Sequence, residues 1–393
     1  MATSACTASK RVAASVGIFL LLLAVCAALY WLLPLHSPEG TSATAELPTK
    51  GSLKLYSLPA TSTQLIDQPI PQHLAIDQSG RLWFPTLTVK TNRLYRFDPK
   101  SGELASWGLP GPPTMGVISG FTIDGQGRVW VGWHDVLVSH DSVSDVQKSY
   151  RLPGPDNALS PVDVPEGKST YPITDLAADN QGLLWIVRSS VDGMTSFDES
   201  TGGFDEIRTP DVFGAPKTAI VDGSGSIWLT VALSGEDRPT RTGGRLGVEG
   251  DKLAVFDPTA RSFRVLPVRS TSVVPDASRK KLYLDTMRVA SAENGSALTK
   301  PPTKGAPLAV DRNGAIWLQD GPEIKVLDAG GYSVTRVFDL PSKEQRYPHG
   351  GTPEAIRPAF SFPLVKDAVF GSSGDAWVLL DNSQGGQIAR LSP

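Results

Sequence analysis

One phrase recurs along this chain and limits what it can fold into. It is an apolar stretch, then Asp-x-x-Gly, then an apolar residue leading into Trp. It reads Asp77-Gln-Ser-Gly-Arg-Leu-Trp83, Asp124-Gly-Gln-Gly-Arg-Val-Trp130, Asp179-Asn-Gln-Gly-Leu-Leu-Trp185 and Asp222-Gly-Ser-Gly-Ser-Ile-Trp228. Two further copies are Asp311-Arg-Asn-Gly-Ala-Ile-Trp317 and Gly371-Ser-Ser-Gly-Asp-Ala-Trp377. Six of the nine tryptophans occupy this one position. The intervals between them are 47, 55, 43, 89 and 60 residues. The longest is a double interval, and Asp276-Ala-Ser-Arg-Lys-Lys-Leu-Tyr283 fills it, with one extra residue and Tyr in place of Trp. Self-similarity at such a period marks a repeat architecture.

A second phrase follows the first. An apolar strand ends in Phe-Asp, a turn with Gly follows, then another strand and Leu-Pro. Leu94-Tyr-Arg-Phe-Asp-Pro-Lys-Ser-Gly102 runs on to Leu109-Pro110, and Leu253-Ala-Val-Phe-Asp-Pro258 runs on to Leu266-Pro267. Each repeat thus carries four short alternating strands separated by turn signals. Four strands in about 45 residues is the pattern of a propeller blade. The expected fold is all-β, a seven-bladed β-propeller over residues 51–393 with a degenerate fifth blade. A six-bladed ring with 269–303 as an insertion is the alternative. The last repeat ends at Gln387-Ile-Ala-Arg-Leu-Ser-Pro393, which supplies its third strand. The missing fourth strand matches Gly51-Ser-Leu-Lys-Leu-Tyr-Ser-Leu-Pro59. Residues 51–59 are therefore expected to complete the last blade and remove a free sheet edge.

These phrases resemble those of the virginiamycin B lyase (streptogramin lyase) family and its relatives, including the sensor propellers of two-component regulators. The resemblance spans residues 51–393. It implies the propeller fold and, as an activity, a divalent-metal-dependent lyase or lactone hydrolase. In the lyases, blades carry Pro-His-Gly-Ile before the turn and Trp-Phe-Thr-Glu after it, and the catalytic His and metal-linked Glu come from those phrases. The matching stretch here is Pro71-Gln72-His73-Leu74, with His one place further on. A shift of one residue along a strand turns a side chain to the opposite face. After Trp83 the sequence is Phe84-Pro85-Thr86, and the Glu position of later blades holds Arg188, Val231, Asp320 and Leu380. Only Asp320 is acidic.

The blade pattern also sorts the loops. The Asp-x-x-Gly turns join first to second strands on one face. The second-to-third loops and the blade-to-blade linkers share the other face. The long segments Gly154–Pro172, Thr230–Lys252 and Ser342–Phe362 all belong to that second group, which is therefore the expected ligand face. Arg238, Arg241 and Arg245 interleave there with Glu236, Asp237 and Glu249, and His349 lies in the charged loop Lys343–Arg357. Four places before each turn Asp, an inner-strand residue points at the central channel. These residues are His73, Gly120, Asp175, Thr218, Ser272, Pro307 and Asp367. A His with two carboxylates suits a divalent cation of the Mg or Ca type, so His73, Asp175 and Asp367 are the candidate metal ligands. Asn294-Gly295-Ser296 has the form of a glycosylation site but falls where other blades have their Gly turn.

Charge and the N-terminus set partners and compartment. Lys plus Arg number 37 and Asp plus Glu 40, for a net charge of −3. No basic surplus exists to neutralise a phosphate backbone, which argues against nucleic acid. The two cysteines, Cys6 and Cys26, precede the repeats. A disulfide framework and a Cys-ligated zinc are thus excluded for the ring. No charged residue stands between Val12 and Leu35, a run long enough to span a bilayer as one helix. Lys10 and Arg11 precede it, and the positive-inside rule keeps them in the cytoplasm. The expected order is a cytoplasmic tail 1–11, a transmembrane signal anchor 12–35, a flexible stalk 36–50 and an extracytoplasmic (periplasmic or extracellular) propeller. Cleavage after Ala43-Thr44-Ala45 is the alternative, and it leaves the body in the same compartment. The expected function is binding of a small molecule or protein through the loop-rich face, with the lyase or lactonase as the alternative.

Overall fold

The recurring phrase folds as one hydrogen-bonded turn. In the computed structural model the Asp of five copies makes the same three bonds. Its Oδ1 accepts the N–H groups two and four residues on, and its Oδ2 accepts the indole N–H of the Trp six residues on, all at 2.7–3.2 Å. The Gly of the phrase sits at φ between 79° and 89° in these five turns, a conformation that strains any L side chain. The phrase therefore closes a tight turn and swings the Trp back into the layer beneath it. The Phe-Asp phrase builds a second Asx turn. Asp98, Asp198 and Asp257 each accept with Oδ1 the N–H two residues on.

The structure describes residues 49–57, 70–71, 73–87, 92–110, 118–153, 173–179, 181–188, 193–209, 216–231, 252–299, 301–328, 330–341, 343–345, 359–361, 363–382 and 385–392. They form an all-β, seven-bladed β-propeller. Blade 1 contains Leu82–Leu87, Asn92–Phe97 and Leu104–Gly108, with Ala75–Ile76 and Ile70–Pro71 both paired to the first of these. The inner strands of blades 2 to 7 are Gly120–Ile123, Ile173–Ala178, Pro216–Val221, Val273–Asp276, Ala306–Val310 and Leu364–Phe370. Successive strands within each blade pair antiparallel.

Blade 5 differs, as its sequence does. It has three strands, and its outer strand shrinks to a single bridge between Ala290 and Ala297. The extra residue of its phrase is taken up by a short 3-10 turn, Ala277–Arg279, capped by Asp276. Lys280 takes the left-handed position that Gly holds elsewhere.

Seven apolar clusters lie among the described residues, one at each seam between blades. The phrase Trp of each blade packs into the seam with the next: Trp83 against blade 2, Trp130 against blade 3 and so on to Trp377 against blade 1. Tyr283 takes this part between blades 5 and 6. Burying one large aromatic side chain is worth roughly 4–6 kcal/mol of transfer free energy. The repeated Trp is thus the mortar between blades, which explains its fixed position.

Ser52–Ser57 pairs antiparallel with Gly385–Ser392 and forms the outer strand of blade 7, placing Leu53 opposite Leu391 and Leu55 opposite Ala389. Just before it, Thr49–Lys50 runs parallel to the outer strand of blade 6, Val334–Asp339. Gly51 joins the two, and its N–H donates to the Val337 carbonyl at 3.0 Å. A Cβ at Gly51 would fall inside the van der Waals envelope of the Phe338 ring. The expected span 12–35 and the tail and stalk up to residue 48 lie outside the described residues. Among the described residues, no helix is long and apolar enough to cross a membrane.

Candidate functional site

The inner strands run from the loop-bearing face towards the Asp-Gly turns. A residue four places before the turn therefore sits in the half of the channel nearer the loops. Three of these positions carry titratable groups, and the structure gives each of them the same kind of partner: backbone of the next blade.

Asp367 in blade 7 accepts the N–H of Leu74 in blade 1 at 2.9 Å with Oδ2, and that of its own neighbour Ala368 with Oδ1. Asp175 in blade 3 repeats the pattern, accepting Ala219 of blade 4 at 2.8 Å and Leu176 at 2.8 Å. His73 in blade 1 makes hydrogen bonds to the backbone at Ile118 and Ser119 of blade 2. All three side chains are largely buried among the inner strands. Burial is the leading influence on each. It pushes His73 down to about 4, against the opposing pull of its backbone bonds. It pushes Asp175 up to about 7 and Asp367 up to about 6, against the N–H groups that favour the charged forms. Asp175 also feels the negative charge of Asp367. Blades 3 and 7 stand nearly opposite in a seven-membered ring.

This arrangement does not suit a metal. Among the described residues, no three His, Cys, Asp or Glu side chains come together to hold an ion. His73 is engaged with backbone, and each oxygen of Asp175 and Asp367 already accepts an N–H. The three expected ligands are three separate inter-blade contacts. Asp320, the acidic residue at the lyase Glu position, is held by Lys325 Nζ at 2.5 Å. Arg188, at the same position of blade 3, is buried and lies 3.5 Å from Glu206. Arg238, Arg241, Arg245 and His349 lie outside the described residues.

Gln319 belongs to the same set and was not singled out in the sequence. From the second strand of blade 6 it accepts the N–H of Val365 at 3.0 Å and donates to the Pro363 carbonyl at 2.9 Å, both leading into blade 7. The available signal was its polarity two places after Trp317, where blades 1, 2, 3 and 7 carry Pro85, Gly132, Val187 and Leu379. Blade 4 has Thr230 there, whose hydroxyl meets that of Thr218 at 2.7 Å.

Away from the channel, His140 is fully buried at the seam of blades 1 and 2. Its ring lies 4.6 Å from that of Trp107 and 5.4 Å from that of Trp83, with Arg96 over both tryptophans. Neither ring nitrogen makes a hydrogen bond, and Asp145 is 3.5 Å away. Burial lowers its pKa, and Asp145 pulls the other way.

Solved structures similar to the ring include propellers of two kinds. A catalytically inactive virginiamycin B lyase from Staphylococcus aureus, with quinupristin, superposes with a TM-score of 0.58 at 13% identity, covering 88% of this chain and 100% of that one. A streptogramin B lyase gives 0.57 at 14% identity, covering 87% and 98%. The extracellular domain of a putative hybrid two-component system from B. thetaiotaomicron gives 0.52 at 14% identity, covering 82% of this chain and 40% of that one. At such identities the likeness is one of fold. No family model matches the chain, and no curated protein matches it in sequence. The kinship expected from the Asp-x-x-Gly-x-Leu-Trp phrases thus holds for the propeller itself.

Proposed function

We propose that the chain is a membrane-tethered, extracytoplasmic propeller that binds a ligand or protein partner through the face opposite its Asp-Gly turns. The observation that carries this reading is positional. The two longest intervals between described strands, after Arg151 and Val231, leave from that one face, as does the interval after Gln345. In this reading the stretches 154–172, 232–251 and 346–358 supply the binding contacts. Arg238, Arg241 and Arg245 in the second of these stretches supply cationic groups for a polar or anionic partner, and residues 12–35 supply the anchor.

The test has two arms. The full chain is expected in the membrane fraction, extracted by detergent but not by salt, and removal of residues 1–35 should release it. Purified 49–393 is then screened by thermal shift against a small-molecule panel. Hits should be lost when 232–251 is replaced by a short Gly-Ser bridge, and kept when Gln78 and Gln181 on the turn face become Ala. Hits indifferent to the loop replacement would sink the reading.

A lyase or lactone hydrolase working from the same mouth is the second reading, favoured by the two lyase structures that the ring resembles along nearly their full length. Quinupristin is its direct probe. Ring opening by purified 49–393, abolished by His73→Ala, would establish it.

A further inference from the structure

We propose that the seam between blades 1 and 2 is an acid-sensitive joint, in which His140 is a wedge that a proton drives out. The joint belongs to the ring itself and acts whatever the ligand.

The repeat supplies the frame. In each blade one third-strand residue stands opposite the residue that precedes the phrase Trp or Tyr. In six blades it is apolar: Phe97, Phe197, Phe256, Ala290, Leu327 and Leu391. The three Phe rings pack on the phrase Trp of the preceding blade. Phe97 meets Trp377, Phe197 meets Trp130 and Phe256 meets Trp185, with ring centroids 6.5, 5.8 and 4.8 Å apart. In blade 2 the position holds His140. Its imidazole takes the same place, 5.4 Å from Trp83 of blade 1 and 4.6 Å from Trp107. An ionisable ring thus fills a wedge position that is apolar in every other blade.

The neutral ring serves there only as an apolar plate. It is fully buried, and neither nitrogen has a hydrogen-bond partner. Unpaired buried polar atoms cost stability that Phe would not. The charged ring fits worse. From blade 1, Arg96 lies over both indoles, at 5.6 and 5.2 Å, and opposes a second cation. Arg81 is held by Asp77 in the blade 1 turn. Within blade 2, Val129 and Gln147 stand opposite His140 on the two neighbouring strands and carry no charge. Arg128 and Lys148 are engaged with Glu199 at the next seam. The groups that favour an imidazolium are Asp145, 3.5 Å from Nε2, and the adjacent Asp141. Both stand in the turn that follows His140, and the Asp145 side chain is 56% exposed. A protonated His140 is therefore repelled on the indole side and drawn towards the wet turn.

The sign agrees with the geometry. Burial, the largest influence, lowers the pKa of His140 from the ordinary 6.5. The closed seam therefore holds fewer protons than the open one. The stability contributed by the neutral wedge is complete above 6.5 and is lost as pH falls below it. Acid withdraws the ring from Trp83 and Trp107 and frees the blade 2 hairpin 136–151 from blade 1.

Hydrogen exchange of the full chain, read by mass spectrometry at pH 7.5 and pH 5 and corrected for the intrinsic rate, tests the joint. The blade 3 hairpin 193–208, wedged by Phe197, is the internal reference. Between the two pH values the opening constant of 136–151 should rise about fivefold or more relative to that reference. In His140→Phe, which restores the residue of the repeat, the two hairpins should keep a constant ratio. His140→Gln, neutral at both pH values, carries the same expectation should the Phe variant fail to fold. An equal response of both hairpins in the wild type, or an acid response of 136–151 that survives in either variant, would overturn the joint.

Discussion

The turn aspartate is the smallest unit that accounts for the repeat. Asp124 Oδ1 satisfies two backbone N–H groups, while Oδ2 accepts the Trp130 indole and the Arg128 guanidinium. Replacing it by Ala leaves a buried indole N–H and two turn donors without an acceptor. The expected cost for Asp124→Ala is roughly 2–4 kcal/mol, read as a lower urea midpoint with an unchanged slope. Leaving the slope fixed and the midpoint unmoved would show that water replaces the carboxylate at no cost. All these partners stand within six residues of Asp124, so a short window of sequence displays them. The channel contacts are different. Asp367 and Leu74 are separated by 293 positions, Gln319 and Val365 by 46, Asp175 and Ala219 by 44. Sequence placed His73, Asp175 and Asp367 in the channel because the repeat fixed their register. It offered a metal as their common purpose because nothing local names the N–H that each carboxylate accepts.

Among the elements, the strand around Gly51 carries the sharpest demand. It must leave the edge of blade 6 and become the edge of blade 7 while passing over the Phe338 ring. Gly51→Ala forces that ring or the strand aside. Overpacking of this kind costs about 1–3 kcal/mol. Phe338→Leu should restore part of the loss in the double variant, and the double-mutant cycle measures how much. Strictly additive single effects would place the strain elsewhere. Four strands per blade were legible from alternation and turn residues, and blade 5 shows where that legibility stops. Its phrase lacks both Trp and Gly, and its fourth strand dwindles to one bridge.

At the scale of the whole molecule, buried histidines oppose the buried aspartates. His73 and His140 are both lowered by burial, so each contributes stability above its ordinary 6.5 that is lost as pH falls below it. Asp175 and Asp367 act in the reverse sense across the same range. The unfolding free energy is therefore expected to decline as pH rises from about 6.5 through 7, where only the aspartate contribution is still being lost. Below pH 4 the turn carboxylates take over. At Asp77, burial pushes the carboxyl up, but the bonds from Trp83 and Arg81 prevail and hold it low. Its contribution is present above the ordinary 3.8 and disappears as acid protonates it. The comparison that checks this is a pair of pH series. Between about pH 4 and pH 6.5, His73→Gln should make the profile climb more steeply towards acid than wild type, and Asp175→Asn less steeply. Two profiles parallel to that of wild type would refute the balance.

The pairing of Ser52–Ser57 with Gly385–Ser392 has a consequence for how the chain is made. The first strand of the ring to emerge during synthesis waits for the last one. Until residues 385–392 are available, Ser52–Ser57 has no antiparallel partner in blade 7. A product cut short by even its final strand is left open at blade 7, with the apolar side chains of Leu53 and Trp377 short of a partner layer. Completion is thereby reported by shape, and a protease that trims exposed edges can tell a finished ring from an interrupted one.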